Sequence, residues 1–126
     1  MPNRRKLVAV VDDEPTMLKA IERLLNAHGF ATRVFVSAEA FLDGDAQTEA
    51  SCLILDIHLG GMSGIDLRHR LTESGSPLPI IFMTAVDDEA TRREAMDAGC
   101  VAYLRKPFPA KLLIGAIDKA TGLASA

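Results

Sequence analysis

Five short apolar runs, separated by stretches with helical spacing, constrain this chain more than any other feature. Leu7-Val8-Ala9-Val10-Val11, Cys52-Leu53-Ile54-Leu55 and Pro79-Ile80-Ile81-Phe82-Met83 are nearly continuous apolar runs, as expected of strands covered on both faces. Ala31 to Phe35 and Val101 to Leu104 complete the set. Between them, Pro15 opens a helix with Met17, Leu18, Ile21, Leu24 and Leu25 on one face, and Gly29 stops it. Ser37 caps a short helix through Leu42, followed by a polar loop from Asp43 to Glu49. Ser63 and Asp66 have capping-box spacing for a helix to about Glu73, closed by Gly75. Asp87 or Asp88 caps a fourth helix that ends at Gly99. The last starts near Pro109 and is expected to bury Leu112, Leu113, Ala116 and Ile117. This strict alternation predicts βαβ crossovers: one α/β domain over residues 1–126, a parallel sheet with helices on both faces.

With 126 residues, 48% hydrophobic and 25% charged, the chain has the balance of one globular domain rather than a disordered segment. A formal net charge of −3 argues against direct nucleic-acid binding by the domain. The basic runs Arg4-Arg5-Lys6, Arg68-His69-Arg70 and Arg92-Arg93 are read as solvated faces. Leu7 to Val11 is too short for a signal-peptide core or a membrane span. Cys52 and Cys100 lack any partner motif and are expected to be buried reduced thiols, so a cytoplasmic protein is expected.

Parallel α/β sheets carry their functional groups beyond the carboxyl ends of the strands. Asp12 and Asp13 follow the first strand, Asp56 the third, Thr84 the fourth and Lys106 the fifth. Taken singly, each has a bland role: aspartates turn and cap, and a lysine before proline sits on a surface. Their joint occurrence on one edge points to a site. If the first and third strands are neighbours, three carboxylates crowd one crevice and need a cation or a proton to compensate them. Magnesium (Mg²⁺) suits such a crevice, because it prefers oxygen ligands and combines one or two carboxylates with water and phosphate. Lys106 adds a point charge and Thr84 a hydroxyl donor for phosphoryl oxygens. The set fits phosphoryl transfer, with Asp56 as the nucleophile that holds an acyl phosphate.

Val10-Val11-Asp12-Asp13-Glu14, Leu53-Ile54-Leu55-Asp56, Met62-Ser63-Gly64, Met83-Thr84-Ala85 and Leu104-Arg105-Lys106-Pro107-Phe108 together resemble the receiver domain of bacterial two-component response regulators. The resemblance covers essentially the whole chain and implies a flavodoxin-like sheet of order 2-1-3-4-5. It implies Asp56 as phosphoacceptor, and Mg²⁺, with Mn²⁺ as a substitute, on Asp13, Asp56 and the His58 backbone carbonyl, with Asp12 acting through water. It further implies Lys106 and Thr84 on the phosphoryl oxygens, room left by Ala85, a cis peptide before Pro107, and Tyr103 as the switch aromatic. Ser37-Ala38-Glu39-Ala40-Phe41-Leu42 and the segment from Ala98-Gly99 to Phe108 look like receivers of the FixJ type, which usually precede a helix-turn-helix output domain. No output domain is expected within this chain.

The implied function is a signalling phosphoacceptor that catalyses its own phosphorylation and dephosphorylation rather than a turnover enzyme. A sensor histidine kinase or histidine phosphotransferase would donate the group. The surface of the fourth helix, fifth strand and fifth helix would then change its preference for an output domain, a target protein or a second copy in a phosphorylation-dependent homodimer. Two other readings stay open. A Mg²⁺-dependent phosphohydrolase of the haloacid-dehalogenase type would need an acid two residues after the nucleophile, where His58 stands. An interaction module that signals without phosphorylation would need no intact pocket, yet Asp12, Asp13, Asp56, Thr84 and Lys106 are all present. One departure from the family matters: Gly60-Gly61 stands where a proline is usual four residues after the phosphoacceptor, which predicts a more mobile loop and weaker or more variable metal binding in the resting state. His58 is expected to offer its backbone rather than its ring, and His28 and His69, on helices, to face solvent or cover the core edge.

Overall fold

The computed structural model describes residues 6–122; Arg4 and Arg5 of the first basic run lie outside them. Strands β1 (Leu7–Val11), β2 (Ala31–Phe35), β3 (Cys52–Asp56), β4 (Ile80–Thr84) and β5 (Ala102–Arg105) form one parallel sheet of order β2-β1-β3-β4-β5. Helices α1 (Pro15–Ala27), α2 (Ala38–Asp43), α3 (Ala46–Glu49), α4 (Gly64–Glu73), α5 (Glu89–Ala98) and α6 (Ala110–Thr121) cover it.

Side chains alternate across each strand, so the sheet feeds two apolar layers. Val8, Val10, Ile54 and Met83 pack with Leu18, Ile21 and Leu25 of α1 and Leu113 and Ile117 of α6. Ala9, Val11, Leu53, Leu55 and Phe82 pack with Phe41 of α2, Leu67 and Leu71 of α4 and Ala95 of α5. Because β3 and β4 are inside both layers, every one of their residues is buried. The edge strands β2 and β5 are only half covered.

The caps form as their residue types dictate. Ser37 Oγ accepts from Ala40 N–H at 3.0 Å. Ser63 and Asp66 form a complete capping box, with Asp66 N–H on Ser63 Oγ at 3.0 Å and Ser63 N–H on Asp66 Oδ2 at 3.3 Å. Asp88, not Asp87, caps α5, accepting from Thr91 N–H at 2.8 Å.

Several boundaries differ from expectation. The segment 43–49 is not wholly loop: Asp43 ends α2, and Ala46–Glu49 makes one helical turn with Ala46 buried under the sheet. One turn is too short to show a period in the sequence. β5 runs one residue later than expected, ending at Arg105. Leu112 is 51% exposed, because α6 has the sheet on one side only and Leu112 lies off that stripe. Cys52 is buried, its thiol pushed up to about 12 by desolvation, whereas Cys100 is only half-buried. His28 sits just past the end of α1, and both it and His69 are exposed. No helix among the described residues is long and apolar enough to cross a membrane.

Candidate functional site

β1 and β3 are hydrogen-bonded neighbours, so their carboxyl ends deliver Asp12, Asp13 and Asp56 to one place. One oxygen from each lies within 4.8 Å of the others. Asp12 is fully buried, Asp56 is 5% exposed, and Asp13 faces solvent. Lys106, delivered by β5 across the sheet, closes the crevice: its Nζ donates to Asp12 Oδ2 at 2.8 Å and to Asp56 Oδ2 at 3.3 Å. The Lys106–Pro107 peptide is cis.

One ammonium among three carboxylates leaves the crevice short of positive charge. Burial, with a further push from the Asp12 charge, holds the Asp56 carboxyl above the usual carboxylate range despite the lowering influence of Lys106. Burial works to lower the Lys106 ammonium, but its hydrogen bonds and ion pairs with Asp12 and Asp56 overcome it and its pKa is raised. A donor set made only of carboxylate oxygens, electrostatically under-compensated, fits a hard divalent cation such as Mg²⁺.

The other anticipated residues are arranged differently. His58 is exposed; its backbone N–H donates to Asp56 Oδ1 at 3.3 Å, and its ring is not part of the acidic group. Thr84 is fully buried, and its hydroxyl both donates to Val86 O and accepts from Val86 N–H, each at 3.0 Å. It therefore faces its own β4–α5 loop rather than Asp56. Tyr103 donates its hydroxyl to Asp87 Oδ1 at 3.2 Å, and Arg92 grips both oxygens of Asp87 at 2.9 and 3.0 Å while its guanidinium lies 5.0 Å from the Tyr103 ring centroid. Burial first, then the Asp87 hydrogen bond and charge, raise the Tyr103 pKa. The run Arg92-Arg93 by itself predicts a solvated charge, and nothing in the local sequence marks this pairing.

Gly64 belongs to the Met62-Ser63-Gly64 motif, and its spatial role is plain in the structure. A Cβ there would meet the Asp56 carbonyl oxygen head-on and sit 2.9 Å from Ile57 Cα. Only glycine lets the α4 N-terminus approach the end of β3 this closely.

A parallel 2-1-3-4-5 sheet with an acidic crevice and a lysine at its carboxyl edge defines a flavodoxin-like domain with a candidate cation site. The response regulator receiver domain family model matches residues 8–118, and the chain belongs to that family, the phosphoacceptor modules of two-component signalling. It is 36% identical over 124 residues to the response regulator protein TmoT of Ectopseudomonas mendocina, covering 98% of this chain and 56% of the relative. With the transcriptional regulatory protein FixJ of Bradyrhizobium diazoefficiens it shares 35% identity over 113 residues, 90% of this chain and 55% of FixJ. The chain thus spans a little over half the length of these relatives. Among solved structures, FixJ-N superposes with a TM-score of 0.86 at 33% identity, covering 98% of both chains. A receiver protein from Burkholderia phymatum does so with 0.84 at 39% identity, covering 96% of this chain and 98% of that one.

Proposed function

We propose that Asp56 accepts a phosphoryl group from a phosphohistidine on a sensor histidine kinase or histidine phosphotransferase. A carboxylate oxygen of Asp56 attacks phosphorus in line, the phosphorus–nitrogen bond breaks, the histidine leaves with its electron pair, and an aspartyl phosphate forms. Lys106 already stands 3.3 Å from Asp56 and supplies a positive charge where phosphoryl oxygens gather. Asp13, Asp56 and the His58 carbonyl would hold Mg²⁺ (or Mn²⁺), with Asp12 acting through water, and the ion would neutralise charge on the phosphoryl oxygens. Water later cleaves the acyl phosphate and resets Asp56, with the domain's own residues promoting both steps.

Signalling then depends on the neighbouring loop. Thr84 can donate to a phosphoryl oxygen only by giving up its hydrogen bond to Val86 O, and Val86 is followed directly by Asp87, the partner of Tyr103. Phosphorylation therefore competes with the resting arrangement of the β4–α5 loop and shifts the population of Tyr103 positions. The surface of α5, β5 and α6 (the fourth and fifth of the helices anticipated from the sequence, with the strand between them) changes its partner preference. That partner is an output domain, a target protein or a second copy.

The observation that carries this reading is the meeting of Lys106 with Asp12 and Asp56, residues 94 and 50 positions away in the chain. Incubation with a small acyl phosphate and Mg²⁺, followed by intact-mass measurement, should give one phosphoryl adduct. The adduct should be absent from Asp56→Asn and from samples without divalent cation. An unmodified wild type, or an adduct that survives in the variant, would overturn the proposal.

A further inference from the structure

Three backbone N–H groups in the loop leaving β3 are each taken by a different carboxylate. His58 N–H donates to Asp56 Oδ1 at 3.3 Å, Gly60 N–H to Asp13 Oδ2 at 3.4 Å, and Met62 N–H to Glu39 Oε2 at 3.1 Å. The first two acceptors belong to the acidic crevice. The third stands outside it, in the first turn of α2.

Two observations show that Glu39 is fitted to this loop. Gly61 adopts φ +79°, and a Cβ there would lie 3.1 Å from Glu39 Oε2, so the carboxylate occupies space that a side chain would take. The Met62 hydrogen bond also holds the Glu39 carboxyl below its usual range. Gly60 and Gly61 give the loop unusual backbone freedom, which some contact must restrain if the segment is to present a fixed carbonyl. Asp13 and Asp56 cannot serve as independent restraints, because the proposed function commits their oxygens to a cation. Met62 alone, of the three donors, has an acceptor outside the proposed cation site.

We infer that Glu39 is a positioning residue for the cation site: it anchors the 58–62 loop so that the His58 carbonyl is held ready for the ion. This rests on the proposal that Asp13, Asp56 and the His58 carbonyl take Mg²⁺. The role belongs to the acceptor oxygen and not to the charge, so glutamine preserves it and alanine abolishes it.

The test is a Mg²⁺ titration followed through backbone amide resonances for wild type, Glu39→Gln and Glu39→Ala, with hydrogen exchange at Met62 and thermal melting in metal-free buffer. Glu39→Ala should weaken Mg²⁺ binding by about three- to tenfold, the net worth of one hydrogen bond. It should also speed exchange at Met62 and lower the metal-free melting temperature by no more than about 2–8 °C, as expected for one exposed hydrogen bond. Glu39→Gln should stay within about twofold of wild type, as its amide oxygen keeps the acceptor. Equal affinity in Glu39→Ala would overturn the inference, and so would a loss in Glu39→Gln as large as in alanine, which would assign the effect to charge. A wild type that binds no Mg²⁺ would instead bring down the functional proposal, and this inference with it.

Discussion

Asp56→Asn removes one charge from a crevice that holds three carboxylates and one ammonium, and it should stabilise the metal-free protein. At an effective dielectric of about 20, each carboxylate no more than 4.8 Å away repels Asp56 by roughly 3.5 kcal/mol or more. The Lys106 ammonium at 3.3 Å returns roughly 5 kcal/mol of attraction. Repulsion from Asp13 is reduced because that side chain is exposed, but the cost of desolvating Asp56 adds to the repulsive side. The direction agrees with the raised Asp56 pKa, whose first cause is burial. Asparagine keeps an oxygen for the His58 N–H, and Lys106 keeps Asp12 at 2.8 Å. We expect a gain of about 1–2 kcal/mol, or about 4–8 °C in melting temperature for a domain of this size. A carboxyl whose folded pKa is raised favours the folded state most when protonated, and that advantage is lost as pH rises through the folded value. The gap between variant and wild type should therefore be full at neutral pH and close as pH falls through the raised Asp56 pKa. Adding Mg²⁺ at ~100 times its dissociation constant should stabilise wild type by about 2.7 kcal/mol and the variant by less, reversing their order. Calorimetry or circular-dichroism melts with and without Mg²⁺ measure all of this. A variant that melts below wild type in metal-free buffer at neutral pH would refute the reasoning.

Gly64→Ala should destabilise the fold by about 1–3 kcal/mol in urea denaturation, because its Cβ meets rigid backbone at Asp56 and Ile57; an unchanged midpoint would refute the close approach. The single tyrosine and the absence of tryptophan make Tyr103 directly titratable by ultraviolet absorbance. Asp87→Asn should lower its pKa part of the way back, since burial remains, and an unchanged curve would remove Asp87 as its partner. Gly60→Pro should tighten Mg²⁺ binding, because it stiffens the loop and frees Asp13 from the Gly60 N–H, and no side-chain atom crowds that position. Equal affinities in a direct titration would discard that prediction.

The strands, caps and helix stops were legible because each is specified within a few neighbouring residues. Leu7–Val11, buried on both faces, could be apolar throughout; Ser63 and Asp66 satisfy each other three residues apart; Gly29 and Gly99 take positive φ at helix ends. Local chemistry also placed Asp56, Thr84 and Lys106 at the edge where parallel sheets carry function. It did not decide how these groups face one another. That Asp12 is buried and Asp13 exposed, that the Thr84 hydroxyl turns to Val86, and that Glu39 reaches Met62 across 23 residues all depend on how strands and loops stack. Leu112 and the turn at Ala46–Glu49 belong to the same class, since burial there is set by neighbours distant in the chain. Sequence by itself determined the elements and the chemistry at their ends, through short-range periodicity and hydrogen bonding. Tertiary structure alone decided which carboxylates share Lys106 and which backbone groups restrain the loop, because those pairings exist only once β1, β3 and β5 lie in one sheet.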